Sequence, residues 1–184
     1  MIRDDGNLLL KGYVKSERML NHCYAAEAVM RSLARRFGED EEKWGLAGLL
    51  HDIDIEVTDA DLSRHCLEAE KILTGEGIDP ETVDAIVMHN EAVTGRKRET
   101  RFQHALAAAE TITGLIVATT LVYPDRKLAS VKTKSVVKRM KEKAFAASVN
   151  RDIIMECEVI GIPLNEFAEL SIDAMLGISD RLGL

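Results

Sequence analysis

The sequence predicts an all-α fold, a single bundle of about seven helices, from three observations. The chain is rich in Ala, Leu, Glu, Lys and Arg, which favour helices, and it contains only three prolines in 184 residues. Apolar residues recur at helical spacing, and one such face carries His22, Ala25, Ala26, Val29 and Leu33. Helix start signals precede several segments, most clearly at Asp79-Pro80, a capping carboxylate followed by proline.

Residues that favour helix ends bound each predicted helix. Their predicted ranges are 16 to 37, about 40 to 51, 59 or 61 to 75, 79 to 93, 99 or 100 to 121, 150 to 161, and 165 to 182. The caps expected at the first and last of these are Ser16 and Asn165. Between the fifth and sixth lies a basic segment, 126 to 143, with eight Lys or Arg against one Glu.

Polar residues interrupt the apolar faces of the later helices. The third carries Leu62, His65, Ala69 and Ile72, and the fourth Ala85, Ile86, His89 and Val93. The fifth carries Leu106, Glu110, Thr113, Gly114 and Val117, and the last Phe167, Leu170, Ala174, Ile178 and Leu182. His104 lies on a different face from Glu110.

Length, composition and charge restrict the class of protein. A chain of 184 residues, 46% hydrophobic and 30% charged, suits one packed domain and is short for two. Its net charge of -7 argues against a general binder of nucleic acid or of anionic membranes. We therefore expect a small-molecule partner, with no nucleic-acid polymer and no membrane. A homo-oligomer is compatible with the sequence.

The cysteines and the N-terminus predict a cytoplasmic location. Cys23, Cys66 and Cys157 are far apart and form no CxxC pair, as expected of free thiols in a reducing compartment. The acidic start of the chain does not resemble a signal peptide. We expect no membrane span, because no apolar run approaches the roughly 20 residues that one needs.

A His-Asp pair, His51-Asp52, ends an apolar run and is followed by Asp54 and Glu56. Leu46, Leu49 and Leu50 indicate that this helix is buried. A buried carboxylate without compensation costs several kcal/mol, so it is normally paired, hydrogen-bonded or bound to a metal. The pair therefore predicts partners elsewhere in the chain.

Those partners are polar residues on apolar helical faces. One buried histidine is usually structural, but several on separate helices, together with a carboxylate, are typical of a metal site. Neutral imidazole and carboxylate bind divalent ions, and Fe, Mn, Zn, Co, Ni or Mg are all compatible. The sequence predicts a centre of one or two such ions, with six ligands: His22, His51, Asp52, His65, His89 and Glu110.

With these residues the sequence resembles the HD-domain superfamily, which is named for its His-Asp pair, and its small HDIG-type proteins. The naming tetrad stands here as His51-Asp52-Ile53-Asp54, with Asp54 in place of glycine. The resemblance covers a metal-binding core of about residues 16 to 123. It continues through 131 to 136 and 145 to 151 of a C-terminal helical extension, 124 to 184. We expect one HD-type domain over 1 to 184.

The resemblance implies a helical bundle with a metal centre between its helices, most often one that hydrolyses phosphoesters. It places one ion on His22, His51, Asp52 and Glu110, and a second on His65 and His89 with Asp52 as the bridge. The family usually has Asp at the Glu110 position. Some dinuclear relatives have a further histidine where this chain has Asn90.

The predicted function is hydrolysis of a nucleotide or other small phosphoester by metal-activated water. Candidate catalytic residues are Asp52, Asp54 and Glu56, although the last two also fit a solvated acidic turn. Candidate phosphate ligands from the basic segment are Lys132, Lys134, Lys138 and Arg139, for which a plain solvated helical face is the alternative. Two other functions fit the same ligand pattern: a di-iron oxygenase of the HD family, and a non-catalytic nucleotide-sensing or binding module that holds a metal.

Overall fold

Twelve α-helical segments, one short 3-10 turn and no strand make up the computed structural model, which describes residues 1–184. The longer helices are α1 (Arg3–Tyr13), α2 (Glu17–Phe37), α3 (Glu41–Leu50), α4 (Leu67–Gly75), α5 (Pro80–Met88), α7 (Arg101–Leu121), α8 (Thr133–Arg139) and α11 (Leu164–Leu176). Four single turns complete the set: α6 (Glu91–Thr94), α9 (Arg151–Ile154), α10 (Glu156–Val159) and α12 (Ser179–Leu182). The all-α prediction is confirmed.

Polar caps hold several helices at their predicted starts. The side chains of Ser16, Asp40 and Asp79 each accept a hydrogen bond from the backbone N–H three residues further on. Thr100 and Gln103 form a reciprocal capping box at the start of α7. The predicted starts of these four helices are therefore correct to within one or two residues.

The third predicted helix begins later than expected. The chain from Asp59 to Cys66 forms turns, and α4 starts only at Leu67. The Asp61 side chain accepts hydrogen bonds from the backbone N–H and hydroxyl of Ser63, which favours a turn over a helix at this point. Leu62, predicted on the buried face, is 65% exposed.

The structure differs from the predicted helices at both chain ends. Helix α1 was not predicted, since only one side of its leucine run is buried: Leu10 lies in the core, whereas Leu8 is 71% exposed. The last long helix starts at Leu164 after Pro163, so Asn165 does not cap it. Its fully buried residues are Phe167, Ala168, Ser171, Ile172 and Met175, whereas the rest of the predicted stripe is only partly buried and packs against the core: Leu170, Ala174, Ile178 and Leu182.

One hydrophobic core of 41 buried residues runs through the whole bundle. The long helices α2 and α7 form its centre, and α3 packs closely along α2. Gly48 of α3 makes this close packing possible, because a Cβ atom there would lie 2.7 Å from the backbone oxygen of Ala26. Leu128, Ile154 and Phe167 belong to the same core, so the C-terminal segment folds onto the metal-binding part rather than apart from it.

The central helix α7 is long and apolar enough to qualify as a membrane span by length and composition alone. One such helix is weak evidence for a span, and 61% of its apolar window is buried inside the bundle, as in the core helix of a soluble protein. Packing of α7 against its neighbours accounts for its hydropathy.

Candidate metal centre

The six predicted ligands come from separate parts of the chain and meet between α2, α3, α5 and α7. They are His22 within α2, His51 and Asp52 directly after α3, His65 before α4, His89 directly after α5, and Glu110 within α7. His51 and His89 directly follow the last residues of α3 and α5. The packing of these buried helices therefore fixes the position of both histidines.

The Asp52 carboxylate lies at the centre of this group and faces two histidine pairs with its two oxygens. Its Oδ2 atom is 3.7 Å from Nε2 of His22 and 3.5 Å from Nε2 of His51. Its Oδ1 atom is 3.3 Å from Nε2 of His65 and 3.6 Å from Nε2 of His89. Asp52 therefore has the geometry of a carboxylate that bridges two positions.

Within each pair the two ring nitrogens are close enough to share one cation. The Nε2 atoms of His22 and His51 are 3.1 Å apart, and those of His65 and His89 are also 3.1 Å apart. Two imidazole nitrogens about 2.1 Å from one ion, at a right angle, are separated by about 3.0 Å. The donor set and its spacing fit a divalent ion at each pair.

Backbone carbonyls fix the ring orientation of two histidines. The Nδ1 atom of His51 lies 2.9 Å from the carbonyl oxygen of Gly48, and Nδ1 of His89 lies 2.6 Å from that of Ile86. Since a carbonyl only accepts, each Nδ1 donates and each Nε2 is directed toward Asp52. Such partners are typical of histidines that bind metals.

Side chains orient the other two histidines. Nδ1 of His65 donates to Oδ1 of Asp54 at 2.7 Å. Nδ1 of His22 lies 3.2 Å from the hydroxyl oxygen of Thr113, whose own proton goes to the backbone carbonyl of Glu110 at 2.6 Å. All four histidines therefore present Nε2 to the centre, where it is open to a proton or a metal ion.

Asp54 lies behind His65 rather than inside the centre. It is fully buried, and its Oδ2 atom accepts hydrogen bonds from the backbone N–H groups of Cys66 at 2.7 Å and Ala69 at 3.0 Å. These bonds tie the turn before α4 to the His-Asp segment. The sequence suggested a catalytic residue or a solvated acidic turn here, but the buried Asp54 side chain has the position of a residue that orients His65.

Glu56, predicted as a catalytic residue, lies outside the centre. Its oxygens accept hydrogen bonds from the backbone N–H groups of Lys15 at 2.9 Å and Ser16 at 2.8 Å, just before α2. These bonds hold the pKa of Glu56 below its usual value. The structure assigns it to the N-terminal end of α2, because its side chain turns away from the histidines to reach that backbone.

Glu110 closes the side of the centre next to His22. Its Oε2 atom is 3.8 Å from Nε2 of His22, and its Oε1 atom accepts a hydrogen bond from the hydroxyl of Thr111. Burial raises the pKa of Glu110, while His89 and His22 oppose that rise. The Glu110 carboxylate therefore lies near the His22 nitrogen that Oδ2 of Asp52 also faces.

When no cation is bound, burial and neighbouring charges give His51 and His65 different protonation states. Burial lowers the pKa of His51 to about 3, so this ring is neutral. Burial also opposes protonation of His65, but hydrogen bonds to Asp52 and Asp54 raise its pKa to about 12. Asp52 itself has a pKa well below its usual value despite burial, because His51, His65 and His89 face it. Protons on the His65 side therefore supply the positive charge that a metal ion would supply.

A cavity of about 960 Å³ opens onto this centre, and ten of its 21 lining residues are hydrophobic. His22, Asp52 and Glu110 form part of its wall. The other polar side chains in the wall are Arg18, Asn21, Thr111, Thr113, Ser148 and Asn150. The face of α7 predicted to carry Glu110, Thr113, Gly114 and Val117 is therefore the face that borders the cavity.

The four basic residues predicted to bind phosphate do not line this cavity; they are Lys132, Lys134, Lys138 and Arg139. Lys138 and Arg139 pair instead with Glu142, and the Arg139 guanidinium lies 4.2 Å from the ring centre of Phe145. The solvated-face alternative describes this segment better, because α8 turns its charges away from the metal centre.

The HD domain profile matches residues 19–120, more than half of the chain. The chain belongs to the HD domain family. All six predicted ligands of this HD domain lie inside the matched range. No curated protein and no solved structure matched it.

HD domains bind divalent metals, and two groups in this one have the composition to hold such an ion. One consists of His22, His51 and Asp52, and the other includes His65 and His89 together with Cys66. The Cys66 thiol lies nearer to Nδ1 of His89, at 3.5 Å, than to Nε2, at 3.9 Å. It therefore packs against the ring rather than in front of the nitrogen that faces Asp52.

Sequence reasoning missed two contributors to the HD site. Arg18 lies one helical turn before His22 on α2, so spacing of four residues could have revealed it. Asn150 was interpreted only as a helix start, which it is, but it also lines the cavity. Its position follows from the docking of the C-terminal segment on α7, for which no local sequence signal exists.

Proposed function

We propose that this HD domain is a metal-dependent phosphohydrolase that uses two divalent ions to cleave a small phosphoester. The observation that carries the proposal is the arrangement of Asp52, whose two oxygens face separate histidine pairs. Paired ions of this kind are typical of enzymes that displace groups at phosphorus.

In this proposal the ligands divide between two ions. His22, His51, Asp52 and Glu110 would hold one, and His65 and His89 would hold the other together with Asp52. The bound ions would activate a water molecule and neutralise the phosphoryl oxygens. Four imidazoles favour a transition metal such as Fe, Mn, Zn, Co or Ni over Mg, which prefers oxygen ligands.

The protein's own residues prepare the centre and shape access to it. Asp54 and the carbonyl oxygens of Gly48 and Ile86 hold the imidazole rings in position, so that the ligand nitrogens need little reorganisation. The cavity wall leaves His22, Asp52 and Glu110 accessible from one side, where a phosphoester can enter.

Phosphate release by the metal-loaded protein tests this function. Protein purified without oxygen and loaded with Mn²⁺ or Fe²⁺ should release phosphate from members of a phosphoester panel. The Asp52→Ala variant should lose at least about a hundredfold in rate, as expected when a ligand shared by both ions is removed. Its circular dichroism should still show a helical protein. Stoichiometrically loaded protein that releases no phosphate from any panel member would contradict the proposal.

The same experiment separates the two other functions that the ligand pattern allows. A di-iron oxygenase would consume oxygen in the presence of its substrate and release no phosphate. A nucleotide-sensing module would bind metal and a nucleotide with neither activity. Oxygen uptake, phosphate release and nucleotide binding are therefore measured on the same metal-loaded preparation.

A further inference from the structure

The charges that line the cavity restrict how many phosphoryl groups a substrate carries. Only three charged side chains line it: Arg18, Asp52 and Glu110. Both acids belong to the metal centre, so Arg18 is the only cationic side chain outside that centre that can bind an anion here. Arg18 is exposed and makes no ion pair or side-chain hydrogen bond within the protein, which leaves its guanidinium free for a ligand.

The remaining walls restrict the other part of the substrate. No Phe, Tyr or Trp lines the cavity, so outside the metal centre no aromatic ring is in place to stack on a nucleobase. The apolar lining is aliphatic and includes Met19, Val117, Leu121, Val149, Ile153 and Leu182. This lining suits a carbon skeleton without an aromatic ring.

Three neutral polar groups in the wall have no partner within the protein. The side chains of Asn21 and Ser148 make no hydrogen bond, and the amide nitrogen of Asn150 is free because only its oxygen caps α9. Uncharged donors and acceptors of this kind suit hydroxyl groups better than additional phosphates.

We propose that the cavity selects phosphomonoesters of small aliphatic alcohols that carry further hydroxyl groups, with Arg18 as the cation that binds their single phosphoryl group. The inference rests on the proposed hydrolase function and narrows it. It favours small non-nucleotide phosphoesters over nucleoside mono-, di- or triphosphates as substrates.

A matched substrate series tests the selectivity. Metal-loaded protein is assayed with glycerol 1-phosphate, AMP, ADP and ATP, and kcat/KM is compared. The aliphatic monoester should exceed each nucleotide by about tenfold or more. An equal or higher kcat/KM for AMP, ADP or ATP would overturn the inference while leaving the hydrolase function intact. No phosphate release from any compound would contradict the hydrolase function itself, and with it the inference.

Variants of Arg18 test the role of its charge. Arg18→Ala should raise KM for glycerol 1-phosphate and weaken inhibition by inorganic phosphate by about tenfold, as expected for a lost charge-assisted hydrogen bond. Arg18→Lys should retain part of the effect. Arg35→Ala is the matched control, because Arg35 lies on the same helix but outside the cavity. Equal phosphate inhibition in the wild type and Arg18→Ala would overturn the assignment of Arg18.

Discussion

Nδ1 of His65 donates a hydrogen bond of 2.7 Å to the buried carboxylate of Asp54. Through this bond an acid that lies outside the metal centre fixes the ring that faces Asp52. The same carboxylate binds the backbone of Cys66 and Ala69. The residue that replaces the glycine of the family tetrad therefore joins the His-Asp segment to the turn that carries His65.

Replacing Asp54 should weaken the His65 side of the centre selectively. Asp54→Asn keeps the side-chain volume but removes the charge. It also replaces one carboxylate oxygen, which accepts hydrogen bonds, with an amide nitrogen, which donates them. We expect the affinity for the second ion to fall about 10- to 100-fold, a typical effect of removing a group that orients a metal ligand. Titration with Co²⁺, followed by absorption, measures the two ions separately.

Glu56→Gln is the control for that experiment, because Glu56 is an acid two residues further on whose bonds go to Lys15 and Ser16. It should bind both ions as the wild type does. If Asp54→Asn bound the second ion normally, Asp54 would have no part in positioning His65.

The metal-free protein should be most stable near the ordinary histidine pKa of 6.5 and less stable on both sides. His51, with its pKa lowered to about 3, contributes stability above pH 6.5 that is lost as the pH falls toward 3. His65, with its pKa raised to about 12, contributes stability below pH 6.5 that is lost as the pH rises toward 12.

Thermal unfolding of chelator-treated protein between pH 5 and pH 10 measures this profile. Metal loading should remove most of the alkaline decline, because imidazole binds a metal in its neutral form. A melting temperature of the metal-free protein that stays constant from about pH 7 to pH 10 would contradict the protonated state of His65.

A buried ion pair should make the C-terminal segment important for stability. Arg98 forms two hydrogen bonds with Glu156 of α10, at 2.7 and 2.6 Å, and its Nη1 also donates to the carbonyl oxygens of Met88 and His89. His104 binds the same carboxylate at 2.7 Å. Glu156→Gln leaves the buried guanidinium without its negatively charged partner and should lower the free energy of unfolding by about 3 kcal/mol.

The exposed ion pair between Arg36 and Glu166, at 2.8 Å, also joins the C-terminal part to α2 and provides the control. Glu166→Gln should cost less than about 1 kcal/mol, because solvent screens exposed pairs. Urea unfolding compares the two variants. Equal losses would show that the Arg98 pair contributes no more than a surface contact.

The contact between α2 and α3 should not tolerate a side chain at Gly48. In Gly48→Ala the new methyl group would meet backbone atoms of Ala26 and Glu27 at 2.7 to 2.8 Å, and backbone cannot move aside cheaply. We expect a loss of about 1–3 kcal/mol in the free energy of unfolding. Gly12→Ala in α1, where nothing lies within 4 Å, should be neutral or slightly stabilising. A neutral Gly48→Ala would contradict the close approach of the two helices.

Helical periodicity explains why much of the centre could be predicted. His22 and Glu110 lie within regular helices and His89 directly follows one, so spacing alone placed them on apolar faces, and the structure brings them together around Asp52. Their roles as metal ligands stay predictions until an ion is bound.

The predictions that were wrong concern features that depend on tertiary contacts, which no local sequence pattern reveals. Asp54 holds the turn before α4 through three bonds to residues 11 to 15 positions away, which a helical pattern from Asp59 cannot reveal. Likewise, a run of lysines does not tell whether α8 borders the cavity. No residue of α8 lines it, which leaves Arg18 as the cavity's cationic side chain.

The metal content of loaded protein tests the central claim, that Asp52 bridges two divalent ions. Protein loaded with Mn²⁺ or Fe²⁺ without oxygen and then freed of excess metal is measured by mass spectrometry, for the wild type and Asp52→Ala. The account predicts two ions per chain in the wild type and loss of both in the variant. One ion per chain in the wild type, or a variant that retains both, would contradict it.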